Sequence, residues 1–118
     1  MATKKKYLSV KERSLYHRVE DVVGCKWSTA VIAAIDEGVR RPGELERYIP
    51  GISKKILNER LRKLTAFGLT ERAEFPGTMP HVEYHLTPAG TRLALLLEQL
   101  HEVQALLDSP ESPGEMLR

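Results

Sequence analysis

Ile49-Pro50-Gly51-Ile52-Ser53-Lys54-Lys55-Ile56-Leu57-Asn58-Glu59-Arg60-Leu61-Arg62-Lys63-Leu64-Thr65-Ala66-Phe67-Gly68 is the stretch whose reading decides the fold of this 118-residue chain. Pro50-Gly51 reads as a turn, because proline presets one turn dihedral and glycine tolerates the conformation other residues resist. Ser53 is a good N-cap, since its hydroxyl can accept from the free N–H groups of a first helical turn. A helix should follow from Lys54 to about Phe67, and Gly68 stands where a terminating glycine belongs. At about 100° per residue, Leu57, Leu61 and Leu64 share one side and must pack inward. Lys55, Asn58, Glu59 and Arg62 lie opposite, with Lys54 and Thr65 at the edge. That outward face joins two chemistries. Lys54 and Lys55 can neutralise phosphates, while Asn58 and Arg62 can make paired hydrogen bonds to adenine and guanine edges. Ser53, Lys54, Lys55 and Asn58 occupy the end of the helix that most often enters a groove. Glu59 counts against a pure phosphate surface, although a carboxylate can accept from cytosine. A solvated face with ordinary charges would carry the same residue types.

Working outward, Pro42 can open a short helix, with Leu45 and Tyr48 as its expected buried residues. A helix from about Trp27 to Glu37 precedes it, with Val31, Ile32 and Ile35 inside and Gly38 as its stop. Leu15, Val19, Val22 and Val23 fall on one face of an earlier helix, which Gly24 ends. Downstream, Thr70–Phe75 and Val82–Thr87 read as strands, with Val82, Tyr84 and Leu86 sharing a face. Pro76-Gly77-Thr78-Met79-Pro80 is the tip between them, since proline cannot continue a ladder. Thr87 caps a last helix that has Pro88 at its first position and runs to about Leu107. The order predicts a mainly α (α+β) fold: a winged helix-turn-helix with N- and C-terminal dimerisation helices. The expected boundaries are a flexible basic arm at 1–10, the winged domain at 11–108 and a disordered tail at 109–118. A winged-helix module that binds only proteins would show the same order, so topology alone does not choose between the two.

Eighteen Lys and Arg face sixteen Asp and Glu, and a net charge of +2 is too weak to identify a polyanion partner. The distribution says more. Arg40, Arg41, Arg47, Lys54, Lys55, Arg60, Arg62 and Lys63 crowd the middle against Glu44, Glu46 and Glu59, while the C-terminal end is acidic. One face for a polyanion fits that asymmetry, with double-stranded DNA as the expected partner and Arg41 among the candidate contacts, although mixed charge also simply keeps helices soluble. The hairpin tip has no Lys or Arg, so Arg72 and His81 are its nearest candidate contacts. Leu93, Leu96, Leu100, Val103 and Leu107 recur at intervals of three, four, three and four. That is the spacing of a coiled-coil seam, and it predicts a homodimer. Two recognition helices would then stand one DNA turn apart, roughly 34 Å.

A single cysteine, Cys25, rules out an intrachain disulfide. It admits two readings. Lys26 beside it favours a reactive thiolate and so a redox sensor; a small buried residue at a helix junction is the plainer one. His17, His81, His85 and His101 lack the spacing of a metal site, and no nucleophile or phosphate-loop pattern has the right context. The expectation is no enzyme, no metal and no cofactor. An effector, small molecule or oxidant, stays open. With no signal-peptide pattern and no apolar run near the roughly 20 residues a membrane span needs, the expected location is cytoplasmic.

The chain resembles the HxlR family of winged-helix regulators from about Ser14 to Leu100. The pieces are Lys26-Trp27, Arg40-Arg41-Pro42-Gly43-Glu44-Leu45, Ile49-Pro50-Gly51-Ile52-Ser53, Leu57-Asn58-Glu59-Arg60-Leu61, Gly68-Leu69, Val82-Glu83-Tyr84 and Leu86-Thr87-Pro88-Ala89-Gly90. The resemblance implies a transcriptional regulator that dimerises through its terminal helices and binds a palindromic operator. Three departures stand out. Gly24-Cys25 replaces a frequent Gly-Gly. His81 replaces a frequent arginine, which should weaken a wing contact near neutral pH. Ser14 stands where some relatives carry a sensing cysteine.

Overall fold

The computed structural model describes residue 19, residues 21–23 and residues 25–109. The expectations for the arm at 1–10, for Ser14, Leu15 and His17, and for the tail beyond Ser109 lie outside them. The elements are α1 (Lys26–Asp36), α2 (Pro42–Tyr48), α3 (Lys54–Ala66), β1 (Thr70–Phe75), β2 (His81–Leu86) and α4 (Pro88–Leu107). Residues 19 and 21–23 are helical as well, ahead of α1. Among the described residues this is a mainly helical winged helix-turn-helix with one two-stranded antiparallel sheet.

Local chemistry explains the elements. The Ser53 hydroxyl accepts from the Ile56 N–H at 3.1 Å and so caps α3. Leu57, Leu61 and Leu64 are buried beneath it, on the line their spacing requires. Gly68 follows with φ of +86°, a conformation that costs glycine nothing and terminates the helix. Its carbonyl accepts from the Thr87 hydroxyl at 2.6 Å, and the same hydroxyl accepts from the Gly90 N–H at 3.1 Å. The Thr87 N–H also donates to the Leu69 carbonyl at 3.0 Å. One residue therefore ties the end of α3 to the start of α4.

The core joins Val31, Ile32 and Ile35 of α1 to Leu45 of α2, the α3 leucines, and Leu93, Ala94 and Leu97 of α4. Each fully buried Leu or Ile side chain stabilises the fold by roughly 1.5–3 kcal/mol. β1 and β2 pair from Thr70↔Leu86 to Phe75↔His81. The Tyr84 N–H donates to the Arg40 carbonyl at 2.8 Å, so the α1–α2 linker borders β2 on its other side.

Several boundaries and faces differ from expectation. Cys25 is the N-cap of α1, which starts at Lys26. β2 begins one residue earlier, at His81, whose ring stacks on Phe75 with centroids 4.8 Å apart. Tyr48 is 53% exposed. Ile49 lies nearer the line of Leu45 around α2 and takes the inner place. Among the described residues ahead of α1, Val22 enters the core, whereas Val19 and Val23, four apart on a line of their own, are exposed.

Candidate nucleic-acid interface

No described residue covers the outward face of α3. Lys54, Lys55, Asn58 and Arg62 are exposed, and Glu59 is half-buried. The capped first turn puts Ser53 and Lys54 at the leading end of the helix. A groove between α2 and α3 is bordered by Pro42, Gly43, Glu46, Arg47, Lys54 and Asn58. A second cleft, between α3 and the hairpin, is bordered by Asn58, Arg62, Thr65, Arg72 and Tyr84. Asn58 borders both. Arg41 is exposed at the N-cap of α2. The helix-turn-helix thus gathers Arg41, Ser53, Lys54, Lys55, Asn58, Glu59 and Arg62, and the hairpin adds Arg72 from β1.

Not every basic residue of the middle segment faces outward. Lys63 pairs with Asp21 at 3.7 Å and lies over the Phe67 ring at 5.6 Å. Arg60 has its Nε buried. Thr65, expected at the edge of the face, shares a 2.8 Å hydrogen bond with Thr70 at the α3–β1 junction. Arg72 is held by Glu74, two residues along the same strand. Its guanidinium is pushed further toward the charged form by Glu74 first and by Tyr84 second.

His81, on the other face of the hairpin, is the candidate contact nearest the tip. The Glu83 carboxylate lies 3.0 Å from His81 Nε2 and 2.9 Å from His85 Nε2; sequence alone does not single out this row, because alternate positions on a strand carry no sign of who bonds to whom. Among the described residues, no cluster of His, Cys, Asp or Glu is arranged to hold a metal ion.

The candidate seam divides. Leu93 is buried in the core of its own domain, together with Leu97, so it faces inward rather than toward a partner. Leu96, Leu100, Val103 and Leu107 are exposed, as is Leu106. The heptad-like spacing is real in sequence, but its first position is where α4 still lies against α1. Cys25 is half-buried. Burial disfavours its thiolate, but the Ser28 hydroxyl, the first-turn N–H groups of α1 and the Arg60 charge outweigh that and hold the thiol below its ordinary range. No described helix is long and apolar enough to cross a membrane.

Comparison with known proteins agrees with this geometry. Residues 22–110 match the model of the HxlR-like helix-turn-helix family. The HTH-type transcriptional regulator YtcD of Bacillus subtilis is 35% identical over 97 residues, covering 82% of this chain and 73% of that protein. The HTH-type regulator sll1512 of Synechocystis is 38% identical over 85 residues, and the match spans 72% of this chain but only 63% of the relative. Among solved structures, a MarR-family transcriptional regulator from Enterococcus faecalis superposes with a TM-score of 0.69 at 29% identity, over 85% of this chain and 91% of that one. The redox regulator HypR in its oxidised form gives 0.67 at 32% identity, over 75% and 91%. With the capped α3, its uncovered polar face and the hairpin beside it already placed, the chain belongs to the HxlR-like helix-turn-helix family of transcriptional regulators.

Proposed function

We propose that this protein binds double-stranded DNA as a homodimer on a palindromic operator and represses by occupying a promoter. The observation that carries the reading is the α3 face, where Lys54, Lys55, Asn58 and Arg62 are exposed together and not covered by the protein's own described chain. Cationic residues there neutralise phosphates, and the two forked side chains can read base edges in a major groove. The supporting observation for the dimer is the exposed row Leu96, Leu100, Val103 and Leu107, an apolar stripe that a second α4 would cover. A two-fold pair of recognition helices calls for a two-fold DNA site.

Salt tests the DNA reading against a protein-interaction module. On a duplex from the promoter of its own gene, affinity should fall by roughly a thousandfold or more between 50 and 200 mM salt if six or more phosphates are neutralised. Absence of binding at low salt would favour the protein-only module. Leu100→Glu tests the seam. A carboxylate at the centre of a dry helix pair is strongly unfavourable, so this variant should elute as a monomer at concentrations where the parent is dimeric. A variant that still runs at dimer size would count against α4 as the interface.

A further inference from the structure

The grooves around α3 and the hairpin differ in charge. The one between α2 and α3 includes Glu46, and the distal cleft of the hairpin includes Glu74. The cleft between α3 and the hairpin is lined by Asn58, Arg62, Thr65, Ala66, Arg72 and Tyr84, with no carboxylate among them. Its volume is about 560 Å³, within the range of ordinary ligand clefts. If α3 enters a major groove, the sugar–phosphate strand at the edge of that groove passes the next element of the protein, and this cleft is where it would pass.

The donors of the cleft are not equally available. Arg72 is held by Glu74. The Thr65 hydroxyl shares its hydrogen bond with Thr70. Tyr84 stands directly opposite Arg72 in the ladder, so the two side chains project from the same side of the sheet. The Tyr84 ring packs against the core, and its N–H is bonded to the Arg40 carbonyl at 2.8 Å. The side chain is therefore anchored before any ligand arrives, and a preorganised donor loses little freedom on binding. After Glu74, the Tyr84 hydroxyl is the group that favours the Arg72 charge, so it lies beside that guanidinium. A guanidinium carries no acceptor. That contact can use only the lone pairs of the phenol oxygen, and it leaves the O–H to donate elsewhere.

We propose that Tyr84 is a backbone contact for DNA: its hydroxyl donates to a phosphate lodged between α3 and the base of the hairpin, in a cleft whose positive charge comes from Arg62. This rests on the DNA-binding reading above. The contact is neutral, so it adds affinity without releasing a counterion, and it carries no base preference.

The test compares the parent with Tyr84→Phe, which keeps the ring and removes only the hydroxyl. A hydrogen bond of this kind corresponds to about fivefold in affinity per subunit, or about twenty-fivefold for two. Tyr84→Phe should lose that factor equally on the promoter duplex and on a mixed-sequence duplex of the same length. Its salt slope should equal the parent's, and its melting midpoint should move by no more than about 3 °C. Unchanged affinity would overturn the proposal while leaving DNA binding intact. So would a loss confined to the promoter duplex, which would make Tyr84 a reader of bases. Duplexes with single neutral methylphosphonates give a readout that a loss of stability would not move. At one position in each half-site the substitution should cost the parent about fivefold more than it costs Tyr84→Phe, and the absence of any such position would also overturn the proposal. No binding by the parent to any duplex at low salt would overturn the DNA reading itself, and this inference with it.

Discussion

Gly90→Ala should destabilise the domain by about 3 kcal/mol, the upper range for forcing an extra methyl into a packed site. By helix propensity the same change should stabilise, by roughly 1 kcal/mol, because Gly90 lies inside α4. Packing decides the sign. A Cβ at position 90 would fall 2.0 Å from the Leu69 carbonyl oxygen and 3.1 Å from its carbon. Those are backbone atoms, and they cannot rotate away. The Leu69 N–H is bonded to the Leu64 carbonyl and its oxygen accepts from the Thr87 N–H, both at 3.0 Å. Relief would have to pull α4 off the end of α3. The expected result is a melting midpoint lower by roughly 10–20 °C. A variant that melts at or above the parent would show that the close approach of α4 to Leu69 is not maintained in solution.

Asn58→Ala and Arg62→Ala should each weaken DNA binding by roughly five- to a hundredfold, the range for losing a bidentate contact of about 1–3 kcal/mol. Both residues are exposed, so stability should change by no more than about 0.5 kcal/mol. The dimer proposed above should survive, since neither residue belongs to the α4 stripe. The two should differ in kind. Asn58 is uncharged, so its loss should relax base preference with the salt dependence unchanged. If Arg62 reads a base, its loss should relax preference at one position; if it meets a phosphate, its loss should reduce the salt slope by about one per subunit. Unchanged affinity and base preference in both variants would remove α3 as the reading element.

The elements were legible because this sequence punctuates itself. Ser53 and Thr87 both act as the N-caps their positions suggested, and β1 and α4 have the bounds that the flanking Pro and Gly residues implied. What periodicity could not decide is which of two neighbouring apolar residues faces which neighbour. Leu93 and Leu96 look alike in sequence, but one lies against α1 and the other is exposed. Tyr48 and Ile49 likewise exchange roles at the end of a seven-residue helix. Gly90 fits the resemblance to a family motif, but the reason for a glycine there is a contact with Leu69, twenty-one residues earlier, and no local pattern encodes it. The Arg40–His85 bond spans an even longer separation. The partners of His81, Met79 and Glu83, likewise emerge only when the strand is built. The α3 face was the most readable part of the site, since one helix and one period define it.

Thr87 leaves little slack at the joint it makes between α3 and α4. If two subunits clasp along α4, that stiffness turns the helix into a ruler whose zero mark is fixed. Inserting a single residue between Thr87 and Leu96 would rotate the clasp by about 100° and lift it by about 1.5 Å relative to the reading head. Matching such a clasp to a different separation of DNA half-sites would then require re-phasing the stripe along α4, because flexing at position 87 would break hydrogen bonds at both helix ends.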